Sequence, residues 1–435
     1  MLAVPVAIGQ LGHIMLGVVD SLMVGRLGAV ELAASALVNS ILILILIFGI
    51  GMSYTVTPLI AIAKGSNNKL EVEQIHNQAL IVNTIFSFLL CLIAFISSEF
   101  LFLLNQPSEV LLFAKSYMKI LSFSMIPFMI FQTYKQFFDG LSITKPGMMI
   151  AIISNFVNAV GNYLLIFGKL GFPMLGLDGA GIASTLTRLF MAAVIILYFY
   201  RGKIFFDYRN SKFSVTFNIK IIKKIIRTGI PTGFQMFFEV GAFSFAAIMI
   251  GWIGAKQLAA HQIAISLASV TFMIVLGISS SATIRVGNFL GSKDLNQMKK
   301  AIIAAISLGI TLMAIFGILF ILFNNFFPLL FIQDQEVINF ASNLLIIAAF
   351  FQIFDGTQAV SLGVLRGMLD VKIPMYLAFF SYWIISIPLS YLLGFNFKLG
   401  VNGVWISLSI GLIFAALTFV LRIMWNLKLL KNKKV

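Results

Sequence analysis

The chain has 435 residues, of which 60% are hydrophobic and only 10% charged, and its mean hydropathy is +1.03. Such a composition excludes an ordinary soluble domain and points to a bilayer. A net charge of +15 would suggest a nucleic-acid partner if Lys and Arg shared one face, but they sit between apolar runs, so no nucleic acid is expected.

Apolar runs of about 20 residues, the length that crosses a bilayer core, occur at roughly 2–24, 33–63, 79–97, 116–135, 147–167, 179–200, 229–250, 258–284, 301–323, 340–365, 374–394 and 403–425, which makes twelve. An even count puts both termini on one side. Lys64, Lys69, Lys135, Lys145, Lys293, Lys299, Lys300, Arg366, Lys372 and the tail Lys428 to Lys434 fall on one set of loop ends. The other set offers only Arg26, Lys115, Lys169, Lys256 and Lys398, so the first set and both termini are expected in the cytosol. The first run has neither a basic leader nor a cleavage-like site and is read as staying in the membrane. Cys91 lies inside an apolar run and is read as packing.

The opening of the chain is written twice. A shift of 226 carries Pro5 to Pro231, Gly51 to Gly277 and Gly65 to Gly291. The turn starting at Gly25 (Gly-Arg-Leu-Gly-Ala-Val-Glu-Leu-Ala-Ala) returns at Gly251 as Gly-Trp-Ile-Gly-Ala-Lys-Gln-Leu-Ala-Ala. With the shift changed to 227, Gln106, Glu109, Val110, Gly140 and Lys145 return as Gln333, Glu336, Val337, Gly367 and Lys372. This is an internal duplication. Each copy holds six runs, an even number, so the copies share one orientation, and a central cleft between them is expected. Met1 starts the first copy abruptly, whereas Pro231 follows a basic lead, so a start upstream of Met1 is expected. The expected fold is an all-α integral membrane protein: a six-helix lobe at 1–200, a cytosolic basic linker at 201–228 and a second six-helix lobe at 229–435.

The linker carries Arg201, Lys203, Arg209, Lys212, Lys220, Lys223, Lys224 and Arg227 against Asp207. Ile219, Ile222 and Ile226 recur at helical spacing opposite the lysines, as in a helix lying on anionic headgroups; a solvated basic loop is the other reading. Pro58, Pro127 and Pro388 interrupt their runs and mark spans that can bend.

Ionisable groups at membrane depth are costly and therefore functional candidates. Asp20 stands about 7 Å below the Gly25 turn, at 1.5 Å per residue. Asn162 and Thr185 stand about 9 Å deep by the same rise, and Asn158 lies one turn from Asn162 on the same face. Together they can take a hard cation or pass a proton, with hydrogen bonding between helices the alternative for Thr185. Glu239 lies about 18 Å from the outer face, and Asp355 at a similar depth in the tenth run. If close together, the two would share a proton or bind a cation. The duplication puts His13 opposite Glu239, Phe128 opposite Asp355 and Ala246 opposite Asp20, so the halves differ chemically. Arg188 reads either as a partner of Asp20 or as a snorkelling charge. Asp139, Arg285 and Arg366 read as structural charges at helix ends. His76, placed in a cytosolic loop, and His261, near the outer start of the eighth run, have no second His or Cys at ligand spacing, which argues against zinc. Gly176 to Gly181 reads as an external turn, since no Gly-Lys-Ser/Thr ending follows it. With no Walker pair and no nucleophile elbow, no enzyme activity and no cofactor are expected.

These residues resemble the multidrug and toxic compound extrusion (MATE) family, in particular its NorM branch, over nearly the whole chain. The resemblance is carried by Val19, Asp20, Ser21, Met23 and Gly25; the stretch from Phe138 to Pro146; Asn158 and Asn162 before Phe167, Gly168 and Lys169; Phe238, Glu239 and Val240; Ala259 to Gln262; Ile284 to Gly287; and Asp355 before Leu365 to Gly367. It implies a twelve-helix exporter of organic cations and amphipathic drugs in a bacterial inner (plasma) membrane, working as a monomer and coupled to sodium ions or protons. Asp20, Asn158, Asn162 and Thr185 correspond to a first-lobe cation site, and Glu239 and Asp355 to a second-lobe one, with sodium conceivable at any of the three carboxylates. His13, Arg188, Gln262 and Phe351 are weaker candidates. The branch places a tyrosine four residues before the tenth-helix aspartate, where this chain has Phe351. A lipid-linked precursor flippase of the same superfamily is the alternative; it would need further helices and a ring of Arg.

Reporter fusions after Asp178 and after Lys212 should signal opposite sides of the membrane. Identical signals would refute the twelve-span topology.

Overall fold

A bilayer offers no water to a backbone, so each crossing segment must satisfy its own amides, and the helix does this within one segment. The computed structural model describes residues 2–208 and 217–432; Met1, Arg209, Lys212 and Lys434 lie outside the described residues. Among those residues, twelve helices are long and apolar enough to cross a membrane. They are α1 (Ala3–Val24), α2 (Ala29–Gly65), α3 (Lys69–Leu104), α4 (Ser108–Gly140), α5 (Lys145–Phe167), α6 (Gly176–Arg201), α7 (Ile219–Ile253), α8 (Ala255–Gly291), α9 (Leu295–Leu322), α10 (Gln335–Gly367), α11 (Lys372–Asn396) and α12 (Gly400–Asn432). Large apolar side chains such as Ile85, Phe156, Ile318 and Leu421 stay exposed, as lipid contact requires.

Three spans depart from a regular α-helix at a proline, while α3 ends in a 3-10 stretch, Ser98–Leu104, that contains none. A proline ring crowds the carbonyl four residues back and withholds the amide that would have bonded it. Accordingly α2 breaks at Thr55, three residues before Pro58, and α4 breaks at Ser124, three before Pro127. In α11 the turns widen to π-helical geometry over Phe380–Ser386, just ahead of Pro388. At the first break, Thr55 Oγ1 donates to Thr228 Oγ1 on α7 at 2.6 Å.

The described residues form two compact units, Ile8–Gly233 and Met1–Ala7 with Phe234–Val435. The two boundaries, after Ala7 and after Gly233, are equivalent positions of the duplication. Each unit therefore contains the opening turns of the other copy's first helix. In one, Gly51 of α2 lies so close to Gly233 of α7 that a Cβ would strike its backbone; in the other, Gly277 of α8 stands likewise against Ala3 and Ala7 of α1.

The copies repeat individual contacts as well as sequence. Asn68 caps α3 by accepting from the Glu71 amide at 3.1 Å, and Asp294 caps α9 by accepting from the Gln297 amide at 3.0 Å. Thr57 Oγ1 donates to the Gln136 carbonyl at 2.9 Å, and its counterpart Thr283 to the Gly363 carbonyl at 2.7 Å. A Cβ on Gly140 would lie 2.9 Å from the Thr57 carbonyl oxygen, and one on Gly367 would lie 2.9 Å from that of Thr283. Small residues thus let α2 meet α4, and α8 meet α10, at backbone distance.

Four local expectations need correction. Ile219–Ile253 is one continuous helix, so the basic lead is the start of α7, with no loop inside it. Its buried side is set by Ile225, which is wholly buried beside Thr228, while Ile219 is 74% exposed, because the seam with Thr55 fixes which side turns inward. His76 is in α3, buried among Phe137 (4.0 Å between centroids), Tyr134 (4.8 Å) and Phe199 (5.1 Å). Gly176 to Gly181 forms the first turns of α6, where Gly179 meets the Leu165 carbonyl.

Gly140→Val and Gly367→Val should each lower the melting temperature of the purified protein, the overpacking costing about 1–3 kcal/mol. Gly17→Ala, which meets nothing within 4 Å, should not lower it. Equal melting of all three variants would contradict the backbone-distance seams.

Candidate functional site

In the first unit, α5 and α6 pack through Gly161, whose Cβ would stand 3.2 Å from that of Ala183. This approach lets short polar side chains on the two helices meet. Asp20 of α1 completes the group. Asn162 Nδ2 donates to Asp20 Oδ1 at 2.6 Å, and Ser184 Oγ donates to Oδ2 at 2.8 Å. Asn158 Nδ2 reaches Ser184 Oγ at 3.3 Å, and Asn162 Nδ2 also lies 3.3 Å from Asn158 Oδ1. Thr185 turns elsewhere: its hydroxyl donates to the Gly181 carbonyl at 2.8 Å and lies 3.4 Å from that of Ile120. Depth places Ser184 and Thr185 alike, but they differ by one residue around the helix, and only Ser184 faces Asp20.

A cationic side chain stands beside this cluster. Arg188 Nη1 donates to Ser124 Oγ at 2.6 Å, at the break in α4, and its guanidinium lies 5.2 Å from the Phe128 ring centroid. It lies within the field of Asp20. His13 stacks on the same Phe128, 5.1 Å away and tilted by 17°. Donors on both oxygens of Asp20 suit a charged carboxylate. Asn162 Oδ1 is buried without a hydrogen-bond partner, so turning that amide over would present an oxygen to a cation.

In the second unit the acids are served differently. Arg366 Nη2 donates to Gln235 Oε1 at 2.5 Å, and Gln235 Nε2 donates to Glu239 Oε2 at 3.0 Å. One amide therefore joins a guanidinium on α10 to a carboxylate on α7. Arg366 is thus part of the acid cluster, beyond the structural role expected for it. Asp355, 7% exposed, lies within the field of Glu239. Two carboxylates so placed repel unless a proton or cation stands between them. Gln358 on α10 lies beside Glu239, and Tyr382 on α11 lies within the field of both acids.

Of the weaker candidates, His13 and Arg188 meet at Phe128 beside the Asp20 cluster, and Phe351 and Gln262 have other surroundings. Phe351 is 2% exposed and packs against Trp405 (5.6 Å) and Phe243 (6.1 Å). Gln262 is exposed on α8, while its neighbour His261 accepts from Trp405 Nε1 at Nδ1, 3.1 Å away. Sequence reasoning missed Ser184, Gln235, Gln358 and Tyr382. A signal existed for three of them. Ser184 adjoins Thr185, and Gln235 and Gln358 stand four before and three after an acid, on its own helical face.

The MatE family model matches residues 5–164 and again residues 231–392. Over 429 residues the chain is 32% identical to the multidrug resistance protein MdtK of Yersinia pseudotuberculosis serotype O:1b, spanning 98% of this chain and 94% of that protein. MdtK of Yersinia enterocolitica gives the same figures. Among solved structures, the eukaryotic MATE transporter AtDTX14 superposes with a TM-score of 0.89 at 23% identity, covering 99% of this chain and 96% of that one. A MATE protein in the straight conformation superposes with a TM-score of 0.90 at 20% identity, with the same coverage.

Proposed function

Matched twice by its model, the chain belongs to the MATE family of membrane transporters, and we propose that it is a cation-coupled antiporter exporting organic cations and amphipathic drugs. One observation carries the reading. Each unit holds carboxylate chemistry inside a membrane-spanning helix group: Asp20 under Asn162 and Ser184, and Glu239 with Asp355 under Gln235 and Arg366. A scaffold has no use for such costly groups. An exporter needs a negative site that holds either the coupling ion or the cationic drug, but not both at once. The relatives' name, multidrug resistance protein, supports this substrate class, and the bacterial sources support an inner-membrane location.

In this mechanism, a sodium ion or proton entering from outside neutralises the carboxylates and removes the attraction that held the drug, so the drug leaves outward. Release of the ion to the cytosol restores the negative charge and the affinity for the next cation. Alternating access supplies the two exposures. The oxygens present fit either ion: carboxylates, amides and hydroxyls are hard ligands. A flippase of lipid-linked precursors would call for spans beyond the twelve seen among the described residues.

Efflux from vesicles under separately imposed sodium and proton gradients tests the reading. Asp20→Asn should abolish coupled export while the protein stays in the membrane. Ser184→Ala should weaken ion dependence about tenfold, the worth of one hydrogen bond to a charged group, and Thr185→Ala should leave it unchanged. Wild-type export by Asp20→Asn under every gradient would remove the first unit from the mechanism. Glu239→Gln combined with Asp355→Asn should lose little more than the worse single variant, as expected of residues acting as one. Additive losses would mean two separate sites.

A further inference from the structure

Where α9 starts and α12 ends, the second unit has a cavity of about 530 Å³ whose lining includes Ser292, Lys293, Asp294, Lys299, Leu427 and Lys431. Its one acid is already engaged, since Asp294 Oδ1 accepts from the Gln297 amide at 3.0 Å and so caps α9. Among the described residues neither Lys299 nor Lys431 forms an ion pair. Like charges gathered on one cavity repel each other, and an anion between them relieves the repulsion.

The duplication gives a second observation. In the first unit the corresponding corner, at the start of α3 and the end of α6, is closed by the chain itself. Leaving α6, the chain turns into a short 3-10 helix, Lys203–Tyr208, which buries Phe205 against Phe138 at 4.5 Å and sets Asp207 on Lys69, 2.6 Å away. A shift of 224 carries Leu175, Gly176 and Gly179 to Leu399, Gly400 and Gly403, and it puts Lys431 in the place of Asp207. The shift of 226 puts Lys299 in the place of Glu73. Where the first unit has two acids, the second therefore has two lysines, and α12 runs on as helix to Asn432. The anion that the first unit supplies from its own chain is one that the second has to take from outside.

The surroundings of the lysines indicate its source. Ile303, one turn from Lys299 on the same face, is 66% exposed, and Met424 and Trp425, about two turns before Lys431, are exposed on α12. Apolar side chains and an indole leading away from a basic pocket suit acyl chains below a charged headgroup. A soluble phosphate ion has no use for them.

We propose that this cavity binds the phosphate of an anionic phospholipid, with Lys299 and Lys431 pairing with its oxygens and the acyl chains lying along Ile303 and Met424. The loop ends on this side are the lysine-rich ones expected in the cytosol, so the lipid comes from the inner leaflet. The proposal does not depend on which ion drives transport.

Trp425 can report the occupant. The full-length protein is reconstituted in phosphatidylcholine vesicles containing rising fractions of phosphatidylglycerol brominated on its acyl chains, which quenches tryptophan on contact. The signal of Trp425 is the difference between wild type and Trp425→Phe. Wild type should show saturable quenching there and prefer brominated phosphatidylglycerol to brominated phosphatidylcholine about tenfold or more, the worth of two lysines at a phosphate. Lys299→Gln with Lys431→Gln should lose the preference, and Lys299→Arg with Lys431→Arg, which keeps the charge, should retain it. Lys300→Gln with Lys428→Gln removes the same charge from the same helices outside the cavity and should also retain it. Equal loss in the two glutamine pairs would overturn the proposal, because general attraction to an anionic surface would then explain the preference. Wild type that does not distinguish the two lipids would overturn it as well. Inorganic phosphate added at fixed ionic strength should leave the quenching unchanged; displacement by it would overturn the lipid as occupant and assign the cavity to a free phosphate.

Discussion

The absence of water around the spanning backbone governs this structure. Every amide has to find its carbonyl within its own helix, so a proline in mid-span leaves a local fault that must be resolved on the spot. The chain has such faults ahead of Pro58, Pro127 and Pro388, and each lies beside a polar side chain with work to do. Thr55 bonds Thr228, Ser124 receives Arg188, and Tyr382 stands in the widened turn, within the field of Glu239 and Asp355. The interruptions in the helices and the polar clusters are therefore one feature.

Duplication followed by divergence explains how two units of one plan came to hold acids in two ways. The first keeps an ion pair at the end of α4, Lys135 to Asp139 at 3.0 Å, both ends buried. Its counterparts in α10 are Leu362 and Arg366. With Leu362 where the first unit has Asp139's partner Lys135, Arg366 reaches Gln235 and through it Glu239. Glu239 stands where the first unit has His13, and Asp355 where it has Phe128, the ring that His13 and Arg188 share. One unit surrounds its acid with neutral donors. The other brings a distant positive charge to its acids through an amide.

What the sequence made legible follows from what a bilayer demands. Span length, apolar runs and the shifts of 226 and 227 gave all twelve helices and the repeat, because membrane thickness and duplication are written along the chain. Depth was legible too: Asp20 and Asn162, placed at one level by counting, are 2.6 Å apart. Azimuth was not legible. Ser184 and Thr185 lie at the same depth, and only the packing of Gly161 on Ala183 decides which faces the acid. The same ignorance misplaced His76 and the inward side of α7. Polar residues near a run's edge look like loop residues until a partner helix covers them. Partners of the acids, Gln235 and Gln358, were legible in principle as helical neighbours, whereas Tyr382 comes from another helix and left no trace in spacing.

The exchange of opening turns, Ala3 and Ala7 against Gly277 and Gly233 against Gly51, bears on biogenesis. The first six spans leave the ribosome with the groove at Gly51 still bare, because the segment that fills it is synthesised only after the connecting stretch. Meanwhile the opening turns of α1 wait for α8 before they can settle. Neither half is a finished folding unit when its own synthesis ends, and each is completed by chain belonging to the other. Cut between Tyr208 and Phe217, the protein would yield two pieces with one sticky groove apiece, and joint insertion of both pieces would be the route by which either reaches its native packing.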